Sequence, residues 1–577
     1  MKNTVQLSRG GLHKFLVSAF LCLFMVSAFA QEKLPFTKGL NLLQWFESEM
    51  PNWNKYDEAD FACFKSMGID VIRLPIHFDL YMEPENTGKV NDIVLKKLDQ
   101  ICDWAEKYQI YLVIDNHSYN GEYWSNNPPP IKDYKKHLES AWTQIAQRYK
   151  DRSEYIIYEI VNEPMSSQEY LTKWVKIQQE IIDLIRTYDT KHTIVVTSAD
   201  FSKIDTLVKM KPYKDPNLIY TFHFYESGLV THQGATWWGA GFADINIPFP
   251  YDKSRLPKYK GETITWNQLK QKAEKINPWM RELIEAYPTE GTVKFLNNRI
   301  KKVADWAKKN KVRVLAGEMG IHYNASHEDR IAWINATTSA CEENNIPYCV
   351  WGVDGYFGFL KSGSGESFPE DIDKEILEAE GFSMPEESLV AKTNVIIKSF
   401  PQKPYVVYDG LTAKGTNTSS LHVKTITVED SHKHCAMVSY PFKQGNCLFF
   451  LPQEITSKVI ENSNSFCISF AVKFTNSSQE FRLNLADTDE GEELPPWKIT
   501  VPIKASDYKV GEWVTVEIPI SKFTERDYAW SNIAQKSFEP QGKYDWARFE
   551  SIYFDFDDWE DKNIGDIYID DVVIKKK

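Results

Sequence analysis

The stretch YIIYEIVNEP (155–164) is an almost unbroken apolar run that ends in Asn162, Glu163 and Pro164. Runs of this kind suit strands covered on both faces, as in a parallel sheet. Seven others share the pattern: GLNLLQW (39–45), VIRLPI (71–76), YLVIDNH (111–117), TIVVTSA (193–199), LIYTFHFY (218–225), VRVLAGEMG (312–320) and IPYCVWGVDG (346–355). Between them lie segments such as LKKLDQICDWAEKY and HLESAWTQIAQRYK, whose apolar residues recur at three- and four-residue steps, as in amphipathic helices. Eight strand–helix units predict an α/β fold, a (β/α)8 TIM barrel. An open doubly wound sheet is the alternative, but it usually carries a Gly-rich phosphate turn after its first strand, and none is present.

Polar residues gather at the C-terminal ends of these strands: Arg73, His117, Asn162 with Glu163, His223 with Tyr225, Glu318 and Trp351. In a barrel those ends share one face, where active sites sit. The connection after Tyr225 is unusually long and contains THQGATW (231–237), with Trp237 and Trp238 as candidate binding aromatics. The 226–290 loop and Trp124 are expected to shape neighbouring subsites.

The barrel pattern fades near residue 384. Pro385, Pro401 and Pro404 mark a linker over 385–403. Beyond it, short strand patterns without convincing helices predict an all-β sandwich over 404–577. At the other end, residues 1–30 read as a secretory signal peptide: Lys2, Arg9 and Lys14, then an apolar run, then Ala28-Phe29-Ala30. The apolar run is short for a bilayer, so a membrane anchor is disfavoured. The expected product is exported, periplasmic or secreted, with no stable membrane insertion, and its catalytic domain lies within 31–384.

Formal charge is −13 over 577 residues, and losing the three basic residues of the leader leaves −16. So acidic a chain lacks the footprint of a nucleic-acid binder. Aromatic residues make up 14% of the chain, a surplus that suits thick cores or flat surfaces for sugar rings. Beyond the leader there are seven cysteines, at 63, 102, 341, 349, 435, 447 and 467, and no zinc-spaced Cys pair. Cys341 and Cys349 are either a helix-to-strand bridge or two buried thiols.

The chemistry is carried by Glu163 and Glu318. A lone strand-end Glu is usually a salt bridge or cap, but two of them close the fourth and seventh strand patterns on one barrel face. Cleavage of a glycosidic bond needs such a pair, one carboxyl to protonate the leaving oxygen and one to act on the anomeric carbon or on water. HYNASH (322–327) places two histidines near Glu318, yet no supporting metal-ligand spacing accompanies them.

IRLP (72–75), the strand ending in His117, NEP (162–164), HFY (223–225), GEMG (317–320) and VWG (350–352) together resemble glycoside hydrolase family 5, in order and across nearly all of 38–384. THQGATW, and GEMG followed by HEDRIAW (327–333), resemble its bacterial endoglucanase branch. The family usually has Phe where this chain has Met319. The resemblance implies an endo-β-1,4-glucanase that retains configuration and acts on β-glucan polysaccharide or oligosaccharide, with a β-mannanase, a xyloglucanase or a non-catalytic polysaccharide-binding protein as alternatives. It implies Glu163 as acid/base and Glu318 as nucleophile held by Arg73 and Tyr225. Asn162 is expected on the sugar 2-hydroxyl, His117 and His223 holding sugar and acid/base, and Trp351 under the reacting ring. No cofactor is needed for such catalysis.

EWVTVEIPISKF (512–523) and DIYIDDVVI (566–574) resemble jelly-roll carbohydrate-binding modules. That resemblance implies a structural Ca²⁺, with Asp409 and Asp571 as candidate ligands. Trp497, Trp513, Trp530, Trp546 and Trp559 are candidates for sugar stacking or for core.

Overall fold

The computed structural model describes residues 33–47, 55–82, 88–118, 130–361, 368–369, 371–390, 399–410, 416–419, 423–427, 431–432, 434–438, 446–487, 497–526, 529–531, 536–539, 542–556 and 564–577. The leader at 1–30, Trp124 and Trp559 lie outside them.

All eight apolar runs form strands: β1 (Lys38–Asn41), β2 (Val71–Ile76), β3 (Tyr111–Asn116), β4 (Ile156–Glu159), β5 (Thr193–Val196), β6 (Leu218–Phe224), β7 (Arg313–Met319) and β8 (Tyr348–Val350). They close into a parallel barrel in the order β1-β8-β7-β6-β5-β4-β3-β2. Helices α1 (Glu58–Ser66), α2 (Asp92–Tyr108), α3 (Ile131–Tyr149), α4 (Gln168–Tyr188) and α5 (Ile204–Leu207) follow the first five strands. The long connection after β6 holds a small three-stranded sheet, α6 (Trp266–Ile276) and α7 (Pro278–Glu290), before α8 (Val293–Asn310) returns to β7. Asn277 both ends α6 and caps α7, its side chain accepting from Met280 N, with Pro278 at the first helical position where its missing N–H costs nothing. After β7 and β8 come α9 (His327–Glu343) and α10 (Lys374–Ala379).

The alternation of side chains along each strand builds the barrel interior in layers. The lowest layer is apolar: Val71, Val113, Ile157, Val195, Ile219, Leu315 and Cys349, one each from β2 to β8, form a buried cluster with Phe36. β1 contributes Gly39, where a Cβ would collide with the Val71 carbonyl. Two residues further along each strand come Asn41, Arg73, Asp115, Glu159, Thr197, Thr221, Gly317 and Trp351. The sequence thus switches from a greasy layer to a polar one within a single pleat repeat. Outside the barrel, the strand and helix faces pack through a second cluster that includes Trp142, Trp174 and Trp333, all fully buried.

Cys341 and Cys349 are both free and buried, so the bridge is not made. Cys349 points into the barrel, whereas Cys341, on α9, belongs to the packing outside it.

Residues 387–390 form a single helical turn within the expected linker. The C-terminal region is a two-sheet sandwich. Its strands are β9 (Tyr405–Tyr408), β10 (Thr416–Ser419), β11 (Val423–Thr427), β12 (His434–Val438), β13 (Asn446–Phe450), β14 (Phe466–Phe474), β15 (Glu480–Asp487), β16 (Lys498–Lys504), β17 (Trp513–Pro519), β18 (Thr524–Glu525), β19 (Phe549–Asp555) and β20 (Ile567–Lys576). One antiparallel sheet runs β11-β12-β20-β14-β17 with β9 also on β20, and the other runs β10-β13-β19-β15-β16-β18. Ile468, Phe470, Val472 and Ile569 of the first meet Phe449, Leu483, Ile552 and Phe554 of the second in one core. The sequence reading missed α11 (Gln453–Glu461), whose Ile455 and Val459 join that core. Nine residues give only two turns of periodicity, too few to stand out among strands.

Candidate active site

The polar layer centres on Arg73, which is fully buried on β2. Its guanidinium donates to Glu159 at 2.7 and 3.0 Å, to Glu318 at 2.8 Å, to Asn41 Oδ1 at 3.0 Å and to Asn162 Oδ1 at 2.8 Å. Asp115 lies 3.0 Å away as well. One cation therefore faces three carboxyl groups. Burial is the main force on Asp115 and pushes it up to about 7, and it pushes Glu159 up too, with Arg73 opposing both shifts.

Glu318 is delivered by a break in β7. The pairing of β7 with β6 shifts register between Ala316 and Glu318, so Gly317 is the extra residue and Glu318 comes to lie opposite His223. A Cβ on Gly317 would stand 2.5 Å from Thr221 Oγ1, so only glycine fits this close approach. Asn41 Nδ2 secures the bulge by donating to Gly317 O at 3.1 Å.

Glu163 stands beyond the regular end of β4, where Asn162 N still bonds Asn116 O of the neighbouring strand at 3.1 Å. Its Oε1 lies 2.6 Å from His223 Nδ1. Carboxylate oxygens of Glu163 and Glu318 and a ring nitrogen of His223 all lie within 4.8 Å of one another.

The two carboxyls have unlike surroundings. Burial pushes both up to about 7. Glu318, however, accepts from the Arg73 guanidinium, which can only donate, at 2.8 Å, and from the Tyr225 hydroxyl at 2.9 Å. Those bonds favour its charged form. Glu163 meets His223, which burial drives down to about 4 and hence keeps neutral. With two carboxyls so close, the charge on Glu163 also raises Glu318, and the two titrate as a pair.

His117 is turned toward its own support. Its Nδ1 bonds Asp115 Oδ2 at 2.6 Å and its Nε2 bonds Asn162 Nδ2 at 3.2 Å, so it holds the side chain beside Glu163. Trp351 is half-buried and stacks on His117 at 5.7 Å, 24° from parallel. The two tryptophans of the long loop part company. Trp237 is half exposed, whereas Trp238 lies flat on His232, 3.8 Å away, and packs against Phe242 and Trp279.

Sequence reasoning missed Asp115, Glu159 and Asn41. Counting two residues forward from each apolar interior position finds all three. It also missed Glu47 and His77, which stand with His117 in a second cluster of ligand-type atoms. Burial pushes Glu47 up to about 7, and neighbouring Lys55 pairs with Asp354 at 2.6 Å. Glu47 carries no strand signal, because it lies in the loop after β1.

In the sandwich, Asp571 Oδ2 lies 3.4 Å from His432 Nδ1, and Asp570 Oδ2 lies 2.9 Å from the same nitrogen. This cluster does not include Asp409. A histidine nitrogen is a poor partner for a hard, oxygen-seeking Ca²⁺. Trp497 is fully buried, and Trp513 and Trp546 are half-buried against His432 and Phe549.

A closed parallel barrel with two facing glutamates across its mouth, Glu318 buried and Glu163 partly so, defines a barrel of the glycosidase class. The sequence profile of Cellulase (glycosyl hydrolase family 5) matches residues 32–356, and the chain belongs to that family. It is 31% identical over 344 residues to Endoglucanase 3 of Fibrobacter succinogenes, covering 56% of this chain and 50% of that one. It is 25% identical over 325 residues to Endoglucanase C of Acetivibrio thermocellus, covering 55% and 90%. Among solved structures, it is similar to endoglucanase Cel5A of the hyperthermophilic Thermotoga maritima, with 25% identity, coverage of 59% of this chain and 96% of that one, and a TM-score of 0.48. The chain spans half the length of Endoglucanase 3. No helix among the described residues is long and apolar enough to cross a membrane.

Proposed function

We propose that the chain is an exported endo-β-1,4-glucanase that cleaves β-glucan with retention of configuration. The observation that carries this reading is the pair Glu163–Glu318: two carboxyls with oxygens within 4.8 Å, one bonded by Arg73 and Tyr225 and one facing a histidine that burial keeps neutral. A separation of about 5–5.5 Å suits direct attack by one carboxylate, whereas inversion needs a wider gap for water.

In the first step a Glu318 oxygen bonds to the anomeric carbon while that carbon's bond to the leaving oxygen breaks, and the Glu163 proton passes to the leaving oxygen. In the second, Glu163 takes a proton from water, whose oxygen bonds to the anomeric carbon and releases Glu318. Asn162, fixed by Arg73 and His117, is placed to meet the sugar 2-hydroxyl, a contact that strengthens in the oxocarbenium-like transition state. Trp351 supplies the floor of the ring site, and Trp237 an open aromatic face beyond it. Water and the two carboxyls suffice for both steps. The sandwich serves as an appended carbohydrate-binding module.

The test is hydrolysis of carboxymethylcellulose, mannan and xyloglucan by the full chain, with the anomer of the first product read by NMR. The expected result is preference for the glucan and a β product. A clear preference for mannan or xyloglucan reassigns the substrate, an α product overturns the retaining route, and binding without cleavage favours a non-catalytic role.

A further inference from the structure

Beyond the reacting centre, three exposed aromatic side chains crowd one sector of the barrel rim. Trp237 is 51% exposed, Tyr356 50% and Tyr323 37%. They come from three connections, after β6, β8 and β7, yet their rings touch: Trp237 lies 4.9 Å from Tyr356, and Tyr323 lies 5.7 Å from it. Buried His322 underlies the group, stacked on Tyr356 at 5.1 Å and 15°. Exposed rings usually collapse onto the core or lie scattered, so contiguous open ones mark a binding surface.

Two features tie this sector to the site. Ring contacts run inward without a gap, from Tyr356 to Trp237, from Trp237 to Phe357 at 6.5 Å, and from Phe357 to Tyr225 at 5.7 Å. Tyr225 in turn bonds Glu318. The three connections are also stitched together by backbone bonds, His322 N to Thr231 O at 2.9 Å and Tyr323 N to Tyr356 O at 2.8 Å. The rings are therefore held in place before any ligand arrives, which lowers the ordering cost of binding.

We propose that Tyr356 and Tyr323 extend the face of Trp237 into a stacking platform for a pyranose unit of the bound glucan outside the pair being cleaved. This inference rests on the glucan reading above. The apolar C–H face of such a ring matches flat aromatic carbon, and the tyrosine hydroxyls keep the rim wettable. The unit is either a further sugar of the backbone or a branch on it.

The test is calorimetric binding in a Glu318→Gln background, which spares the ligand. Tyr356→Ala should weaken cellohexaose about five- to tenfold, as expected for loss of one stacking contact, while cellobiose changes less than about twofold. Tyr356→Phe should restore the affinity. Tyr323→Ala, on a more peripheral ring, should give a smaller loss of the same kind and serves if Tyr356→Ala does not fold. A loss confined to a xyloglucan oligosaccharide places a branch on the platform, and one shared with cellohexaose places a backbone unit. Unchanged affinity for both, equal loss for cellobiose, or no binding of either oligosaccharide by the parent overturns the proposal. Hydrolysis by the unaltered chain is read separately: binding through Tyr356 without any cleavage would sink the glucanase reading and leave the platform standing.

Discussion

At the scale of single residues, the proposed mechanism asks Glu163 to hold a proton and Glu318 a charge. Glu163→Gln and Glu318→Gln should each lower kcat on a glucan by about three orders of magnitude or more with unchanged circular dichroism, because in the proposed mechanism one donates the proton to the leaving oxygen and the other bonds the anomeric carbon. Acidity follows from the same asymmetry. As the proposed acid, Glu163 would have to hold a proton, and it is pushed up to about 7, so activity should fall as pH rises through that value. As the proposed nucleophile, Glu318 would have to be charged, so activity should also fall toward acid, and the apparent values belong to the pair. On an aryl glycoside whose leaving group needs no proton, Glu163→Gln should lose the alkaline limb while keeping the acid one. A limb that persists would move the acid role elsewhere. Arg73→Met strips the cation from three buried carboxyls and should cost about 3–5 kcal/mol in denaturant unfolding at neutral pH.

At the scale of elements, the decisive feature is the bulge at Gly317. Gly317→Ala should destabilise by about 1–3 kcal/mol and cut kcat, because the new methyl meets Thr221. Thr221 Oγ1 is buried without a hydrogen-bond partner among the described residues, so Thr221→Ala should cost little alone and should restore much of the loss in the double variant. Additive losses in that cycle would mean the two positions do not meet. The strands themselves were legible in the sequence, since each is a short apolar run ending in polar chemistry. So were Glu163, Glu318, Arg73 and Tyr225, whose types and order carry the family resemblance. Glu159 and Asp115 were hidden inside apolar runs, and only the two-residue pleat count exposes them. Trp238 could not be told from Trp237, because which neighbour turns inward depends on His232 and Phe242, met only in three dimensions. The calcium expectation rests on resemblance alone, and the sequence could not show His432 beside Asp571, 139 residues further along the chain.

At the scale of the whole molecule, the barrel and the sandwich each own a hydrophobic core, and the two cores share no residue. Calorimetry should therefore show two unfolding transitions, and a bound oligosaccharide in the barrel mouth should raise one of them by ligand linkage. A single transition, shifted as one, would show the two cores to be coupled. The interior floor makes a further demand. Phe36→Ala should cost about 3–5 kcal/mol in the barrel transition alone, because it opens a void beneath the apolar ring.

All seven cysteines among the described residues are buried. The native chain thus shields every one of these sulfurs from alkylating reagents. Iodoacetamide uptake would count only molecules that have opened, and the order in which Cys349 and Cys467 become labelled would report which half of the molecule gives way first.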